Sequence, residues 1–254
     1  MSAAPTWLAP GIALFTGKCE EILPVVLPPD SLNAIVTDPP YELGFMGKGW
    51  DSSGIAFSRE MWAECFRVLK PGGHLLSFGG TRTWHRMAVA IEDAGFELRD
   101  SIAWLYGSGF PKSLDVSKAI DKAAGATTED AATWQGWGTA LKPAFEPIVV
   151  ARKPFRGTVA ANVLAHGTGA LNIDACRIEG GERRLIASKS EKSTGIFGDG
   201  LNGSSAVGIT NAGRWPANVI LSEDQATKLG EAARFFYCAK APTSERPKVD
   251  RQAH

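Results

Sequence analysis

Ile35-Val36-Thr37-Asp38-Pro39-Pro40-Tyr41 is the stretch on which the reading of this chain turns. A short β-branched apolar run ends in an acid, two prolines and an aromatic ring. Such a run predicts a buried parallel strand, and the prolines must stop it because proline has no amide hydrogen for a ladder. In open α/β sheets, ligands gather just past the carboxyl ends of strands, which places Asp38 and Tyr41 where chemistry would occur. The bland alternative is a Pro-Pro turn with Asp38 as a helix cap or turn former.

Outward from this stretch, strands and helices alternate. Before it, residues 1–12 read as a loose lead-in and Ala13 to Thr16 as a short strand. That strand ends at Gly17-Lys18-Cys19, and Glu20 to Val26 form a brief helix. After it comes a loop, Glu42 to Asp51, carrying Phe45 and Trp50; Trp50 either lines a ligand pocket or pins the loop to the core. Ser58 to Leu69 predicts a helix capped by Ser58, with Met61, Cys65, Val68 and Leu69 on one face and Pro71-Gly72-Gly73 as its stop. Gly73 to Phe78 reads as a buried strand, Arg82 to Ala94 as a helix capped by Thr81, and Phe96 to Leu105 as a strand. Three alternations within this first part argue for a doubly wound α/β sheet.

The glycine-containing turn Tyr106 to Lys112 matches neither GxGxxG nor GxxxxGK[ST], so it is read as a turn at the edge of the site, with Lys112 as a phosphate contact. Val116 to Ala124 predicts a helix, Gly125 to Trp137 a polar loop, and Leu141 to Pro154 a further strand. Arg152, Lys153 and Arg156 form the best basic patch, or else a solvated strand end. From Thr158 the composition changes. Thr158 to Leu164 reads as helix and Leu171 to Ile178 as strand-like. Gly180 to Gly213 is too long and polar for an ordinary connection, so it is either a mobile loop or a segment that orders on binding a partner. Arg214 to Leu221 and Arg234 to Lys240 return to strand. The expected organisation is a core over 1–157, a partner-contacting region over 158–215 and a return to the core over 216–254.

A chain of 254 residues with 27 lysines and arginines against 27 aspartates and glutamates has no net charge, so any basic surface must be local. The four cysteines lie far apart with no CxxC pair, which suggests neither a disulfide framework nor a zinc site and fits a reducing cytoplasm. No apolar run reaches membrane-spanning length.

Asp38-Pro39-Pro40-Tyr41 after an apolar strand resembles the catalytic motif of the amino-methylating DNA methyltransferases, which act on adenine N6 or cytosine N4. Trp137-Gly-Thr-Ala-Leu-Lys-Pro-Ala-Phe-Glu-Pro-Ile148 is similar to members from phages and prophages. The resemblance implies a Rossmann-like S-adenosylmethionine-dependent methyltransferase fold with an inserted target-recognition region, acting on double-stranded DNA. Asp38 and the Pro39 carbonyl would hold the amine hydrogens, Pro40 would fix the turn, and Tyr41 would stack on a flipped base. Stacking of that kind is worth roughly 1–3 kcal/mol. Trp50, Arg82, Lys112, Arg152, Lys153 and Arg156 become candidate DNA contacts, and His85 either faces DNA phosphate with Arg82 or is a helix surface residue. The aspartate of the motif favours adenine N6 over cytosine N4.

The same resemblance marks two departures. Where the family usually reads Gly-Asp-Cys beside the cofactor adenosine, this chain has Gly17-Lys18-Cys19, which puts the adenosine contact in question. His254 resembles the first residue of the family's His-Pro-Thr-x-Lys-Pro element, and the Asp-Pro-Phe-x-Gly-Ser-Gly loop that follows it there has no counterpart here. The expectation is a gap at the centre of the sheet, between the strands of Ala13 to Thr16 and Ile35 to Thr37, with unpaired strand edges, and a cofactor loop supplied by another segment or a second polypeptide. The rival expectations are half of a split enzyme, a non-catalytic DNA-binding module, or methylation of RNA or protein.

Overall fold

The computed structural model describes residues 5–44, 49–178, 181–187 and 205–238. In chain order the elements are β1 (Thr6–Ala9), β2 (Ile12–Leu14), α1 (Cys19–Val26), β3 (Leu32–Thr37), α2 (Arg59–Val68), β4 (Leu69–Phe78), α3 (Trp84–Asp93), β5 (Glu97–Leu105), α4 (Val116–Ala124) and α5 (Glu129–Thr133). They continue as β6 (Phe145–Arg152), α6 (Val159–His166), β7 (Arg183–Ala187), β8 (Ser205–Thr210), β9 (Val219–Leu221), α7 (Glu223–Leu229) and β10 (Tyr237–Cys238).

One six-stranded sheet of order β10-β9-β5-β6-β4-β3 organises the molecule, and β1-β2 and β7-β8 form separate antiparallel pairs. β3 runs parallel to β4, while β5, β9 and β10 run parallel to one another. β6 is antiparallel to both its neighbours, so the sheet is mixed rather than wholly parallel. The carboxyl ends of β3, β4, β5 and β9 therefore meet the amino end of β6.

α2 and α3 cover one face of this sheet. Trp62 and Cys65 from α2 and Met87, Ala90 and Ile91 from α3 pack with Leu69, Leu75, Val149 and Ala151 of the strands, all buried. Leu69, Leu75 and Ile91 are fully excluded from solvent, and each such side chain contributes about 1.5–3 kcal/mol. Ser58 caps α2 by accepting from the Met61 amide at 3.2 Å, as its sequence predicts. The buried Trp62 indole donates to the Ala56 carbonyl at 3.0 Å, so its polar edge is satisfied inside the core.

Several local expectations are corrected. The lead-in contains β1, which turns back at Gly11 (φ 79) to pair with β2. Pro71-Gly72-Gly73 does not separate helix from strand but lies inside β4, where Gly72 at φ 80 forms a kink. The Gly72 amide there donates to the Lys153 carbonyl at 2.9 Å. β3 is not buried: it is the outermost strand, and Val36 is 68% exposed. α3 begins at Trp84 rather than Arg82, and Thr81 does not cap it. Leu171 to Ile178 holds a 3-10 turn at Asp174–Cys176 and a single bridge from Ile178 to Arg214 instead of a strand. α5 lies within the expected polar loop, and α7 follows β9.

Candidate active site

β3 ends at Thr37, and Asp38 stands exposed directly beyond it. Pro39 and Pro40 turn the chain across the end of β4, so that Tyr41 arrives over Gly80. A side-chain carbon at Gly80 would approach the Tyr41 ring and Cβ to 3.2–3.3 Å, so glycine is what admits the ring. Thr83 Oγ1 donates to the Tyr41 carbonyl at 2.6 Å and anchors the turn from the other side. A crevice opens beneath, lined by Pro40, Tyr41, Phe57, Gly80, Thr83 and Trp84.

The loop after Tyr41 is held by Asp51 rather than by Trp50. Asp51 is only 3% exposed; its carboxylate accepts from the Glu42 amide at 3.0 Å and its carbonyl from the Gly44 amide at 3.1 Å. These bonds offset the left-handed backbone of Glu42 (φ 55), a conformation uncommon outside glycine. Trp50 is 60% exposed and is thus available to a partner at this end of the sheet. Phe45 and His254 lie outside the described residues.

Tyr41 is half-buried, with the Glu146 and Asp38 carboxylates in its neighbourhood. Burial first, then these charges, holds its proton well above the ordinary phenol range. Tyr106, just past β5, also lies near Glu146, and burial and that carboxylate raise it in the same direction. Trp104 makes edge contacts with Phe78 at 5.8 Å and Tyr106 at 6.2 Å, extending an aromatic row along the same end. An exposed carboxylate beside ordered aromatic rings can accept hydrogen bonds from a planar amine while a ring stacks against it.

The other sequence-predicted residues separate into two ends. Arg82 follows Gly80 and is exposed, and Lys112 lies on the excursion after β5, so both are at the Asp38 end. Arg152 and Lys153 lie at the opposite end, because β6 is antiparallel. Arg152 donates to Glu97 at 2.7 Å and stacks on Phe155; Lys153 pairs with Asp30 at 2.7 Å and donates to the Leu69 carbonyl at 2.8 Å. Arg156 follows them and is exposed. These two cations hold strands and turns together, which a basic cluster in sequence does not reveal.

Gly17 carries φ 150, and a side-chain carbon there would meet Ile22 at 2.9 Å. Lys18 turns to Glu21 at 3.3 Å on its own helix, and Cys19 Sγ lies 3.8 Å from Met61 Sδ on α2. Gly107 and Gly109 offer no cradle. Carbons added there would strike the Asp224 and Gln225 side chains and the Pro143 carbonyl, so the space is already filled. Among the described residues, no group of three His, Cys, Asp or Glu side chains could hold a metal, and no helix is long and apolar enough to cross a membrane.

Glu146, Asp51, Thr83 and Gly80 were not anticipated as site residues. Gly80 and Thr83 immediately follow a strand in a Gly-Gly turn, which is the one local signal that pointed to them.

The family model of the N6/N4 DNA methylases matches residues 32–206, well over half of the chain. Type II methyltransferase M.HindIII of Haemophilus influenzae is 34% identical over 117 residues, covering 44% of this chain and 37% of that protein. M.HpaI of Haemophilus parainfluenzae is 35% identical over 98 residues, covering 36% of this chain and 31% of that protein. The matched part thus spans about a third of the length of these curated relatives. Among solved structures, the cytosine-N4-specific PvuII DNA methyltransferase superimposes with a TM-score of 0.37 at 16% identity, covering 62% of this chain and 64% of that one. With the matched span running from β3 with its Asp-Pro-Pro-Tyr turn through the whole β3–β6 core, this chain belongs to the N6/N4 DNA methylase family.

Proposed function

We propose that this chain carries the base-binding and catalytic half of a DNA amino-methyltransferase. It moves a methyl group from S-adenosylmethionine to the exocyclic amine of a flipped base in double-stranded DNA, adenine N6 in preference to cytosine N4. The observation that carries this reading is the exposed Asp38 carboxylate beside Tyr41 at the carboxyl end of β3, inside the span matched by the family model.

An exocyclic base amine is a poor nucleophile because its lone pair is delocalised into the ring. Asp38 and the Pro39 carbonyl accept its two hydrogens and turn the lone pair out of the ring plane, which is positioning combined with electrostatic preorganisation. Asp38 then takes up the proton that the methylated amine sheds. Tyr41 stacks on the base and offsets part of the cost of unstacking it from the duplex. Trp50, Arg82 and Lys112, at the same end, face the DNA. The segment over 158–215, with its β7–β8 pair, contributes target recognition.

S-adenosylmethionine supplies an electrophilic methyl on sulfur. Gly17 and Cys19 fit an adenosine-edge contact, since their turn packs against α2, whose N-terminal approach lines the crevice under Tyr41. Lys18 faces Glu21 and gives no acid for the ribose. The described residues therefore supply only part of a donor site. We assign the rest to a glycine-loop segment, borne in cis or on a second polypeptide, that pairs along the open edge of β3.

The test is methyl transfer from labelled S-adenosylmethionine to duplex DNA, with and without a family segment carrying the glycine loop, alongside Asp38→Ala. Label in N6-methyladenine that disappears in the variant is the expected result. Label in neither condition overturns the enzymatic reading in favour of a binding module, and label in RNA or protein instead overturns the substrate.

A further inference from the structure

Arg86 lies in the first turn of α3, at the end of the sheet where Asp38 stands. Its amide donates to the Thr83 carbonyl at 3.0 Å, one turn from the hydroxyl that holds Tyr41. Its guanidinium lies over the Phe57 ring, 4.6 Å from the centroid. Phe57 in turn lines the crevice beneath Tyr41, together with Thr83 and Trp84. The Arg86 side chain is therefore braced on the wall of that crevice.

Several of the described cations are held in ion pairs. Arg67 meets Glu64 at 2.8 Å, Arg152 meets Glu97 at 2.7 Å, Lys153 meets Asp30 at 2.7 Å and Arg177 meets Asp174 at 2.8 Å. Among the described residues, neither Arg82 nor Arg86 has an acid partner. From Arg82 to Ile91 the chain carries Arg82, His85 and Arg86 and no acid, and all three are exposed. In a chain without net charge, this concentrates positive charge at the end that presents the exposed Asp38 carboxylate. Asp38 repels a phosphodiester brought to it, and two unpaired guanidinium groups at the same end offset that repulsion. Stacking on Phe57 restricts the rotamers of Arg86 and leaves its in-plane N–H donors at the edge of the ring, the fork that suits phosphate oxygens.

Resting on the methyltransferase reading, we propose that Arg86, braced on Phe57, and Arg82 bind the DNA backbone at the mouth of the crevice beneath Tyr41. Arg86 takes the phosphate next to the flipped nucleotide, and Arg82 takes a neighbouring one. A base drawn onto Tyr41 carries its sugar and phosphate to the rim of the crevice, so a cation fixed there holds the strand in the flipped arrangement. Such contacts set the position of the backbone and carry no sequence preference.

The test is titration of a fluorescent duplex DNA with the full chain, followed by anisotropy between about 50 and 200 mM salt. Each phosphate contact contributes about 0.9 to the slope of log affinity against log salt. Arg86→Gln keeps a planar group over Phe57 and removes the charge. It should lower the slope by about 0.9, and its binding deficit should shrink about 3.5-fold over that salt range. Combining it with Arg82→Gln should lower the slope by about 1.8. Arg99→Gln removes the same charge near the amino end of β5, where Arg99 faces Glu97, and should leave the slope at its wild-type value. Phe57→Leu keeps the cation but loosens its brace, so affinity should fall while the slope holds.

A wild-type slope in Arg86→Gln overturns the proposal, because a purely structural stacked arginine would alter stability and not salt dependence. An equal loss of slope in Arg99→Gln also overturns it, by reducing the effect to bulk charge. Methyl transfer alongside an unchanged slope leaves the methyltransferase reading standing without this site. A lowered slope in Arg86→Gln, when the wild-type chain transfers no methyl under any condition, keeps the phosphate site and removes the methyltransferase reading instead. A wild-type chain that does not bind duplex DNA removes both.

Discussion

Thr83 Oγ1 donates a 2.6 Å hydrogen bond to the carbonyl of Tyr41, joining the β4–α3 junction to the residue that ends the Asp-Pro-Pro-Tyr turn. Neither proline can donate a backbone hydrogen bond, so this contact from outside the turn fixes where the Tyr41 ring lies. Thr83→Val keeps the shape and removes the donor, leaving a part-buried carbonyl unsatisfied at a cost of about 1–3 kcal/mol. Urea unfolding should show that loss, and methyl transfer should fall with it. Thr83→Ser should restore both; a Thr83→Val chain as stable and active as wild type would remove the anchor from the account.

Asp51 and Trp50 are adjacent, yet they should respond differently to truncation. Asp51→Ala leaves the Glu42 amide without its acceptor inside the loop and should cost about 1–3 kcal/mol. Trp50 is largely exposed, and Trp50→Ala should change stability by no more than about 0.5 kcal/mol. Gel-shift titration with duplex DNA should reverse the order, with Trp50→Ala binding more weakly despite its intact fold. Equal binding by wild type and Trp50→Ala would take this ring out of the DNA-facing set.

His74 gives the fold an acid-sensitive point away from the site. Burial first, then the Arg152 and Arg99 charges, depresses its pKa below the ordinary 6.5. The unfolded chain therefore takes up this proton before the folded one does. Stability that is fully present above pH 6.5 is lost as the pH falls toward the folded value. His74→Gln should shrink the difference between urea midpoints measured near pH 7.5 and about pH 5.5. An unchanged difference would show that other groups set the acid limb.

The elements that local chemistry specifies were legible. Ser58 ahead of an amphipathic run marks the start of α2, and the helices expected over Val116 to Ala124 and from Thr158 form as α4 and α6. Asp38 to Tyr41 could be placed at a strand end because two prolines cannot remain in a ladder. β3 was misread as buried for a related reason. Its β-branched run is apolar on both faces, and composition alone does not reveal that Ile35 packs toward the core while Val36 meets solvent at an edge. Pro71-Gly72-Gly73 looked like a stop, but its backbone bonds to Lys153 absorb it into β4.

By itself, then, the sequence determined the alternation of strands and helices, the turn that presents Asp38 and Tyr41, and the family resemblance, because each rests on neighbours in the chain. Only the tertiary structure decided that Glu146 belongs to the site, whereas Arg152 and Lys153 lie at the far end of the sheet in ion pairs with Glu97 and Asp30. The physical reason is strand direction. Which end of the sheet a residue occupies depends on whether its strand runs with or against its neighbours, and that follows from the pairing of β6 between β4 and β5, not from the residues along it.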